Sequence, residues 1–319
     1  LILKVKVIYL KKMKILITGQ NGFIGKALFT LLQQQNHEVR GTVRNEHQAN
    51  KDQNIVAIGD INSTTDWKNA LKGTEVVVHL ANRAHVLNDH AQDPLTIFRK
   101  INVDGTIQLA KQAVESGVKR FIFISSIKVN GEYTDKHPFT ASDKPNPQDP
   151  YAVSKLEAEN ALHELSAQSF MKVIIIRPPL VYGQGVKGNF ERLTRLVKSG
   201  TPLPFASIKN KRSLISLDNL LQLLVKTIVD PAVVNQTLLA SDENDLSTPQ
   251  LIRKIASSLG KPARLFSFPV VLLKMLAKLT GQSNTINRLT ESLQIDNTLI
   301  LGSDPKLYKS KKNGKTTKI

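Results

Sequence analysis

Short apolar runs rich in β-branched residues recur along the first half of the chain, at 14–19 (KILITG), 38–43 (EVRGTV), 54–58 (NIVAI), 75–81 (EVVVHLA), 120–126 (RFIFISS) and 172–178 (KVIIIRP). Runs this continuous read as strands buried on both faces, the pattern of a parallel sheet rather than a half-exposed antiparallel one. Between them lie segments with helical periodicity, such as 24–35 and 103–116, the second followed by Gly117, the residue type that best ends a helix. Strand and helix alternating in this way predict an α/β fold, a Rossmann-type doubly wound parallel sheet.

After Pro178 the alternation fails. A glycine-rich loop (Gly183, Gly185, Gly188), a helical piece near 190–198 and a turn at Gly200 and Pro202 open a smaller, mainly helical C-terminal domain. The segment 213–229 returns to the main domain, and TLLAS at 237–241 reads as another strand. The expected division is a main domain over 13–176 with a return near 213–240, and a second domain over 177–212 and 241–305. The tails, 1–12 and 306–319, are expected to be disordered, the latter because it is lysine-rich and poor in apolar residues. In FPVVLLKMLAKLTG (268–281), Lys274 and Lys278 share one helical face against leucines and valines. That pattern fits a buried helix of the second domain or a helix lying on a membrane surface.

A length of 319 residues gives room for one large core and a smaller one beside it. With no cysteine, disulfides, thiolate nucleophiles and thiolate metal sites are excluded. The seven histidines form no HExxH-type spacing, so no metal is expected. A net charge of +18 raises the question of nucleic acid, yet residues 1–19 hold five lysines and no acid, and 304–319 hold six lysines against Asp304. With the tails carrying more than half of the excess, the remainder suits phosphate-bearing small molecules, and no nucleic-acid partner is expected. The opening run LILKVKVIYLKK is interrupted at Lys4 and Lys6 and lacks a cleavage site, and no stretch reaches the ~18 uncharged apolar residues of a membrane span. A cytoplasmic location without a transmembrane segment is the expectation.

Directly after the first strand run stands Thr18-Gly19-Gln20-Asn21-Gly22-Phe23-Ile24-Gly25. Gly19 permits a tight turn, Gly22 lets the backbone approach a pyrophosphate, and Gly25 lets helix and strand pack closely, while the helix N-terminus attracts the anion. Between a first strand and a first helix, this spacing predicts dinucleotide binding. The second strand run ends in Thr42-Val43-Arg44-Asn45, where NAD-selective folds usually carry an acid for the ribose. Arg44 can pair with a 2′-phosphate, favouring NADP(H) slightly over NAD, or stand as a solvated charge. Asp60, after the third strand run, can bond the adenine amino group or form a turn.

Tyr151-Ala152-Val153-Ser154-Lys155 puts a phenol and an ammonium four residues apart, on one face of a helix that starts near Pro150. A neighbouring positive charge favours the phenolate and is expected to bring the tyrosine down from its usual value toward working pH, as an acid/base for an alcohol or carbonyl. Ser126 closes the fifth strand run, where ligands of such folds bind, and its hydroxyl can hold the same substrate oxygen.

TGQNGFIG, SSIKVNGE and PYAVSK, in this order and spacing, resemble the extended short-chain dehydrogenase/reductases of the NAD-dependent epimerase/dehydratase kind, from about residue 14 to 300. The resemblance implies an enzyme that epimerises, reduces or dehydrates nucleotide sugars. It implies Tyr151 as acid/base, Lys155 as the residue that lowers its pKa and contacts the nicotinamide ribose, and Ser126 on the reacting oxygen. Its cofactor contacts would be Gly19, Asn21, Gly22, Phe23, Ile24, Gly25, Arg44, Asp60, Ile61, Leu80, Ala81, Asn102, Tyr151, Lys155 and Pro178. Asn189 in VKGNF and Arg212 in KRSLISLDN match positions that touch the nucleotide diphosphate in relatives. Family dehydratases carry an Asp-Glu pair after the hydroxyl residue. Here Ile127-Lys128 follows Ser126, which argues against dehydration. A 4-epimerase and a 4-ketoreductase remain, in a branch associated with surface-polysaccharide sugars, UDP-N-acetylated 6-deoxy sugars among them. The family's usual description is UDP-glucose 4-epimerase-like, and a homodimer through paired helices is implied. A non-catalytic NADP(H) redox sensor of the same fold is the competing reading.

Overall fold

The computed structural model describes residues 12–49, 52–84 and 93–296. Its centre is a seven-stranded, wholly parallel sheet: β1 (Lys14–Thr18), β2 (Glu38–Val43), β3 (Ile55–Ala57), β4 (Val76–His79), β5 (Arg120–Ile124), β6 (Lys172–Arg177) and, far along the chain, a strand over Thr237–Leu239. The spatial order is β3-β2-β1-β4-β5-β6 followed by that last strand. The strand order reverses between β1 and β4, which opens a crevice at their carboxyl ends where doubly wound folds bind ligands.

Alternate residues explain why the runs are apolar throughout. Ile15, Ile17, Val76, Val78, Ile122 and Ile174 face one side, and Leu16, Val77, Phe121, Phe123, Val173 and Ile175 the other. On the first side pack Leu28 and Leu32 of α1 (Phe23–Gln34). Leu109 and Ala113 of a helix over Gly105–Glu115, and Leu162 of one over Pro150–Ala167, cover the second. Short helices α2 (Glu46–Ala49) and α3 (Lys68–Leu71) follow β2 and β3. Each buried side chain of this size contributes about 1.5–3 kcal/mol, so the sheet is a rigid platform for whatever sits at its edge.

The helix expected at 103–116 starts much earlier. Asp93 caps α4 (Pro94–Phe98), its Oδ1 accepting from Thr96 N at 3.2 Å, and a wide π-type turn over Arg99–Asp104 carries the helix into α5 (Gly105–Glu115). The wide turn lets the helix pass Ile61, and Gly105 is required there because a Cβ would lie 2.3 Å from Ile61 Cγ2. Asp149 caps α6 (Pro150–Ala167) in the same manner, as the Pro150 signal predicts.

Beyond β6, the strand β7 (Leu180–Tyr182) pairs in parallel with β8 (Leu214–Ser216) as a separate two-stranded sheet, flanking α7 (Asn189–Lys198) in the chain. Helix α8 (Leu217–Val229) then covers the main sheet, and β9 (Thr237–Leu239) joins its edge beside β6. Helices α9 (Thr248–Ser258), α10 (Val270–Leu279) and α11 (Ser283–Thr290) gather with α7 around Phe190, Leu193, Phe205, Ile252 and Ile255. A wholly buried position for the 268–281 helix is corrected here: Leu273 and Ala277 of α10 are buried and Val270 packs half-buried against the same cluster, while Val271, Leu272, Met275, Leu276 and Leu279 are turned outward. Among the described residues no helix is long and apolar enough to cross a membrane. The expected disorder of 1–12 and 306–319 falls, apart from Lys12, outside the described residues.

Candidate active site

The turn after β1 takes the conformation its glycines predict. Gly19 has φ +66°, and Gly22 N donates to Gly19 O at 2.9 Å. A Cβ on Gly25 would stand 2.2 Å from Gly19 O, and one on Gly19 would meet the backbone of Ala81 at 3.0 Å. These contacts leave no room for side chains, so the turn and the start of α1 sit tight against the ends of β1 and β4.

Next to this turn lies a groove of about 840 Å³ at the carboxyl ends of β1, β2 and β4. Of the residues singled out from the sequence, it is lined by Gly19, Asn21, Gly22, Arg44, Asp60, Ile61, Leu80 and Ala81. Phe23, Ile24 and Gly25 stand behind the turn at the start of α1. Arg44 and Asp60 bond each other, Nε to Oδ1 at 3.0 Å, with both side chains mostly in water. An exposed pair of this kind contributes under about 1 kcal/mol, so it yields readily to a ligand. Sequence reasoning missed Arg83, Lys100 and Gln48 on the groove wall, the last accepting from Asn21 Nδ2 at 3.1 Å. None of the three belongs to the glycine motif, and only the fold brings them to it.

Asn102 does not reach the groove wall. It is buried in the π-type turn, where its Oδ1 accepts from Arg83 N at 2.9 Å and its Nδ2 donates to Arg83 O and to Ser154 Oγ, at 3.1 and 3.0 Å. It thereby ties the segment following β4 to α6. Pro178 is likewise buried, its carbonyl accepting from Ile127 N at 3.0 Å, which fixes the turn after Ser126.

Below the groove His79 completes a buried network. Thr106 Oγ1 donates to Asn102 O at 2.7 Å, so it accepts from His79 Nε2 at 3.0 Å. The other ring nitrogen, Nδ1, then accepts from the Thr18 hydroxyl at 2.7 Å, and that hydroxyl accepts from Leu80 N and Ala81 N at 3.1 Å each. Burial, with the Lys155 charge adding to it, pushes His79 down to about 3, which keeps the ring neutral in this tautomer.

Helix α6 brings Tyr151 and Lys155 to the end of β5. Ser126 and Tyr151 stand within reach of one another, and the serine's hydrogen bond favours the phenolate. Its effect is outweighed. Burial of the hydroxyl end, with the Asp149 charge behind it, pushes the Tyr151 phenol well above its ordinary value. The expected drop toward working pH is thus corrected for the chain alone: Lys155 points its ammonium at the ring of Phe123, 3.9 Å from the centroid, and burial lowers Lys155 itself to about 7. Glu159 opposes that fall. Phe98 packs edge-on against Tyr151, ring centroids 6.0 Å apart, and forms the wall between the tyrosine and Arg83.

Lys128, the residue standing where a dehydratase has an acid, bonds Glu132 at 2.6 Å and also Asp149, the cap of α6. Glu132 continues the chain to Arg288, 4.0 Å away, on the helical C-terminal unit. Arg212 is mostly buried on that unit, where it donates to Glu291 O at 3.2 Å and senses Glu132, Arg288 and Glu291, burial lowering its pKa. Asn189 is exposed at the first residue of α7.

A nicotinamide dinucleotide is the group that turn and fold imply, and the residues fit it. The glycine cradle has no space for a Cβ, and two hydroxyls at the sheet's carboxyl edge, Thr42 Oγ1 on the groove wall and Ser125 Oγ beside Ser126, are buried with no protein partner. Polar atoms left so are costly unless a ligand satisfies them.

A model of the NAD dependent epimerase/dehydratase family matches residues 15–237. The chain is similar to the UDP-glucose 4-epimerase of Vibrio cholerae, 49% identical over 286 residues that cover 88% of this chain and 87% of that protein. It is also similar to the N-acetyl-α-D-glucosaminyl-diphospho-ditrans,octacis-undecaprenol 4-epimerase of Escherichia coli O157:H7, 27% identical over 86% of this chain and 82% of that one. Among solved structures, the UDP-glucuronic acid 4-epimerase of Bacillus cereus in complex with NAD superposes with a TM-score of 0.71 at 21% identity, covering 91% of this chain and 92% of that chain.

Proposed function

The chain belongs to the NAD dependent epimerase/dehydratase family of enzymes, and on that premise we propose that it inverts C4 of a UDP-sugar. The observation that carries the reading is the meeting of Tyr151 with Ser126 at the carboxyl end of β5; neither lines the glycine-rich groove itself, but Phe98 packs on Tyr151 and on Arg83 of the groove wall and so links the two. The similarity to the Vibrio cholerae enzyme supports UDP-glucose, or a close relative of it, as the substrate.

In this reading Ser126 donates to the C4 oxygen and Tyr151 takes the hydroxyl proton, then gives it back to the same oxygen when the configuration at C4 has changed. When bound, the nicotinamide supplies the hydride acceptor and donor at C4, and its oxidised ring supplies the positive charge that favours a phenolate. Lys155, lowered to about 7, is a second group able to hold or release a proton beside the tyrosine. Arg212 and Asn189 are assigned to the diphosphate, as a charge-assisted donor and a polar partner on the smaller unit formed by 177–212 and 241–305. A homodimer and a place in surface-polysaccharide sugar synthesis belong to the same proposal.

The second reading is a 4-ketoreductase, and one observation favours it. Arg44, ending β2 at the groove, offers its fork to a 2′-phosphate once it leaves Asp60, which fits an exchangeable NADPH pool. The deciding experiment incubates purified protein with UDP-glucose, UDP-GlcNAc and a UDP-4-keto-6-deoxy sugar, with and without NADPH. Formation of UDP-galactose or UDP-GalNAc without net nucleotide consumption is the expected result. NADPH oxidation with the keto sugar alone establishes the reductase instead. No turnover of any of the three, with Tyr151→Phe indistinguishable from the native protein, means a redox sensor.

A further inference from the structure

Helix α10 turns a row of large apolar side chains to the outside: Val271, Leu272, Met275, Leu276 and Leu279 are between 47% and 84% exposed. At ~100° per residue they fill an arc of roughly 140°, opposite the buried Leu273 and Ala277. Phe266, 46% exposed in the segment leading to the helix, adds an aromatic ring nearby. Single exposed leucines are ordinary, but a contiguous face of five is not.

Charge indicates what covers this face. From Leu246 to Thr290 the chain has seven lysines and arginines and not one aspartate or glutamate. Of the seven, Arg253, Lys254, Lys261, Arg264 and Lys278 are exposed, while Lys274 pairs with Glu291 and Arg288 with Glu132. An apolar arc bordered on its own helix by the exposed Lys278, in a stretch of chain whose charges are all positive, is the pattern of a helix lying in the boundary of an anionic bilayer. A second copy of this chain fits poorly, because a ten-residue helix spans only about 15 Å. That is too little for the ~800 Å² per partner of a stable interface, and two surfaces on which cations outnumber acids repel one another.

We propose that α10 docks this protein on the surface of a membrane rich in acidic phospholipid, its apolar arc entering the headgroup boundary and Lys278, with the other exposed cations of 246–290, drawn to the lipid phosphates. The proposal stands independently of the sugar chemistry.

The test is flotation of the full chain with vesicles of phosphatidylcholine, alone or mixed with phosphatidylglycerol, beside the variant Leu272→Gln/Met275→Gln/Leu276→Gln. All three positions are exposed, so the variant is expected to fold and to keep the native turnover of UDP-sugars measured without vesicles. The native chain should float with the phosphatidylglycerol vesicles and only weakly with the neutral ones. The variant should bind roughly tenfold less well. A second variant, Lys278→Glu, should weaken binding to the acidic vesicles alone. Failure of the native chain to float overturns the proposal, as does equal flotation of the triple variant, which would leave the lysine-rich tails as the sole attachment. A fall in oligomeric mass in the triple variant without vesicle binding by the native chain assigns the face to a second copy instead.

Discussion

Asp149 does two things at once at the residue scale. Its side chain caps α6 by accepting from Ala152 N at 2.7 Å, and its charge raises the pKa of Tyr151 two residues on. Burial alone would raise the Asp149 carboxyl, but the Lys128 hydrogen bond, the Ala152 amide and the Lys128 charge outweigh it, so the group stays ionised. Lys128 also offsets the field that Asp149 would otherwise exert on the phenol. Lys128→Gln should therefore raise the phenol's pKa further, moving the ascending, acidic limb of the kcat–pH profile to higher pH and lowering kcat by roughly tenfold at neutral pH. An unmoved profile would show that the carboxylate does not tune the tyrosine. Lys155 gives a second test. Its folded value of about 7 lies below its unfolded value near ~10, so between the two the unfolded chain binds more protons and stability rises with pH. The cost of burying the charge is fully present below about 7. Lys155→Met should remove that slope, and urea midpoints of the two proteins should differ most at neutral pH and converge near pH ~10. The trio Ser126, Tyr151 and Lys155 was legible because its members keep fixed spacings around the end of one strand and the start of one helix. The sign of the Tyr151 shift was not, since it depends on depth of burial and on an ion pair spanning 21 residues.

At the scale of elements, α6 is held to the sheet by more than its apolar face. Arg177, the last residue of β6, bonds Glu159 of α6 through Nε at 3.0 Å and through Nη2 at 2.5 Å, and its Nη1 reaches Asn130 Oδ1 at 2.9 Å. Both charged side chains are buried, so one bond set ties the helix that carries Tyr151, the strand β6 and the turn after Ser126. Removing one partner strands a buried charge: Glu159→Ala should cost about 3–5 kcal/mol in urea unfolding, whereas Glu159→Met/Arg177→Met should cost less. Cooperative unfolding at the native midpoint in Glu159→Ala would refute this. The strands were readable in one dimension because a sheet covered on both faces demands apolar residues throughout, and TLLAS showed itself the same way. The π-type turn left no such trace. Its cause is the passage of Gly105 across Ile61, a contact between residues 44 positions apart that periodicity does not record.

The whole molecule is joined by its last described segment. Ser213 N donates to Leu293 O, Leu293 N to Lys211 O, Thr134 N to Ser292 O and Phe139 N to Gln294 O, each at 2.8 Å. Leu293 and Ile295 fill a small core with Ile127, Leu239 and Phe139, beneath the turn that carries Ser126. This segment belongs to neither the sheet nor the helical cluster, and it binds both, fixing Arg212 through Glu291 O as it passes. Such a tie predicts a particular kinetic signature. Leu293→Ala opens a cavity at a 4%-exposed site and should destabilise the protein by about 2–5 kcal/mol. Its effect on turnover should fall on the site's assembly from two units and not on proton transfer, because Tyr151 is held by α6 and β6. In steady-state assays KM for the UDP-sugar should then rise several-fold as Arg212 loosens, while kcat stays within about twofold. A variant in which kcat falls and KM holds would mean that the segment supports the Ser126 turn instead, and that the two units meet their substrate without its help.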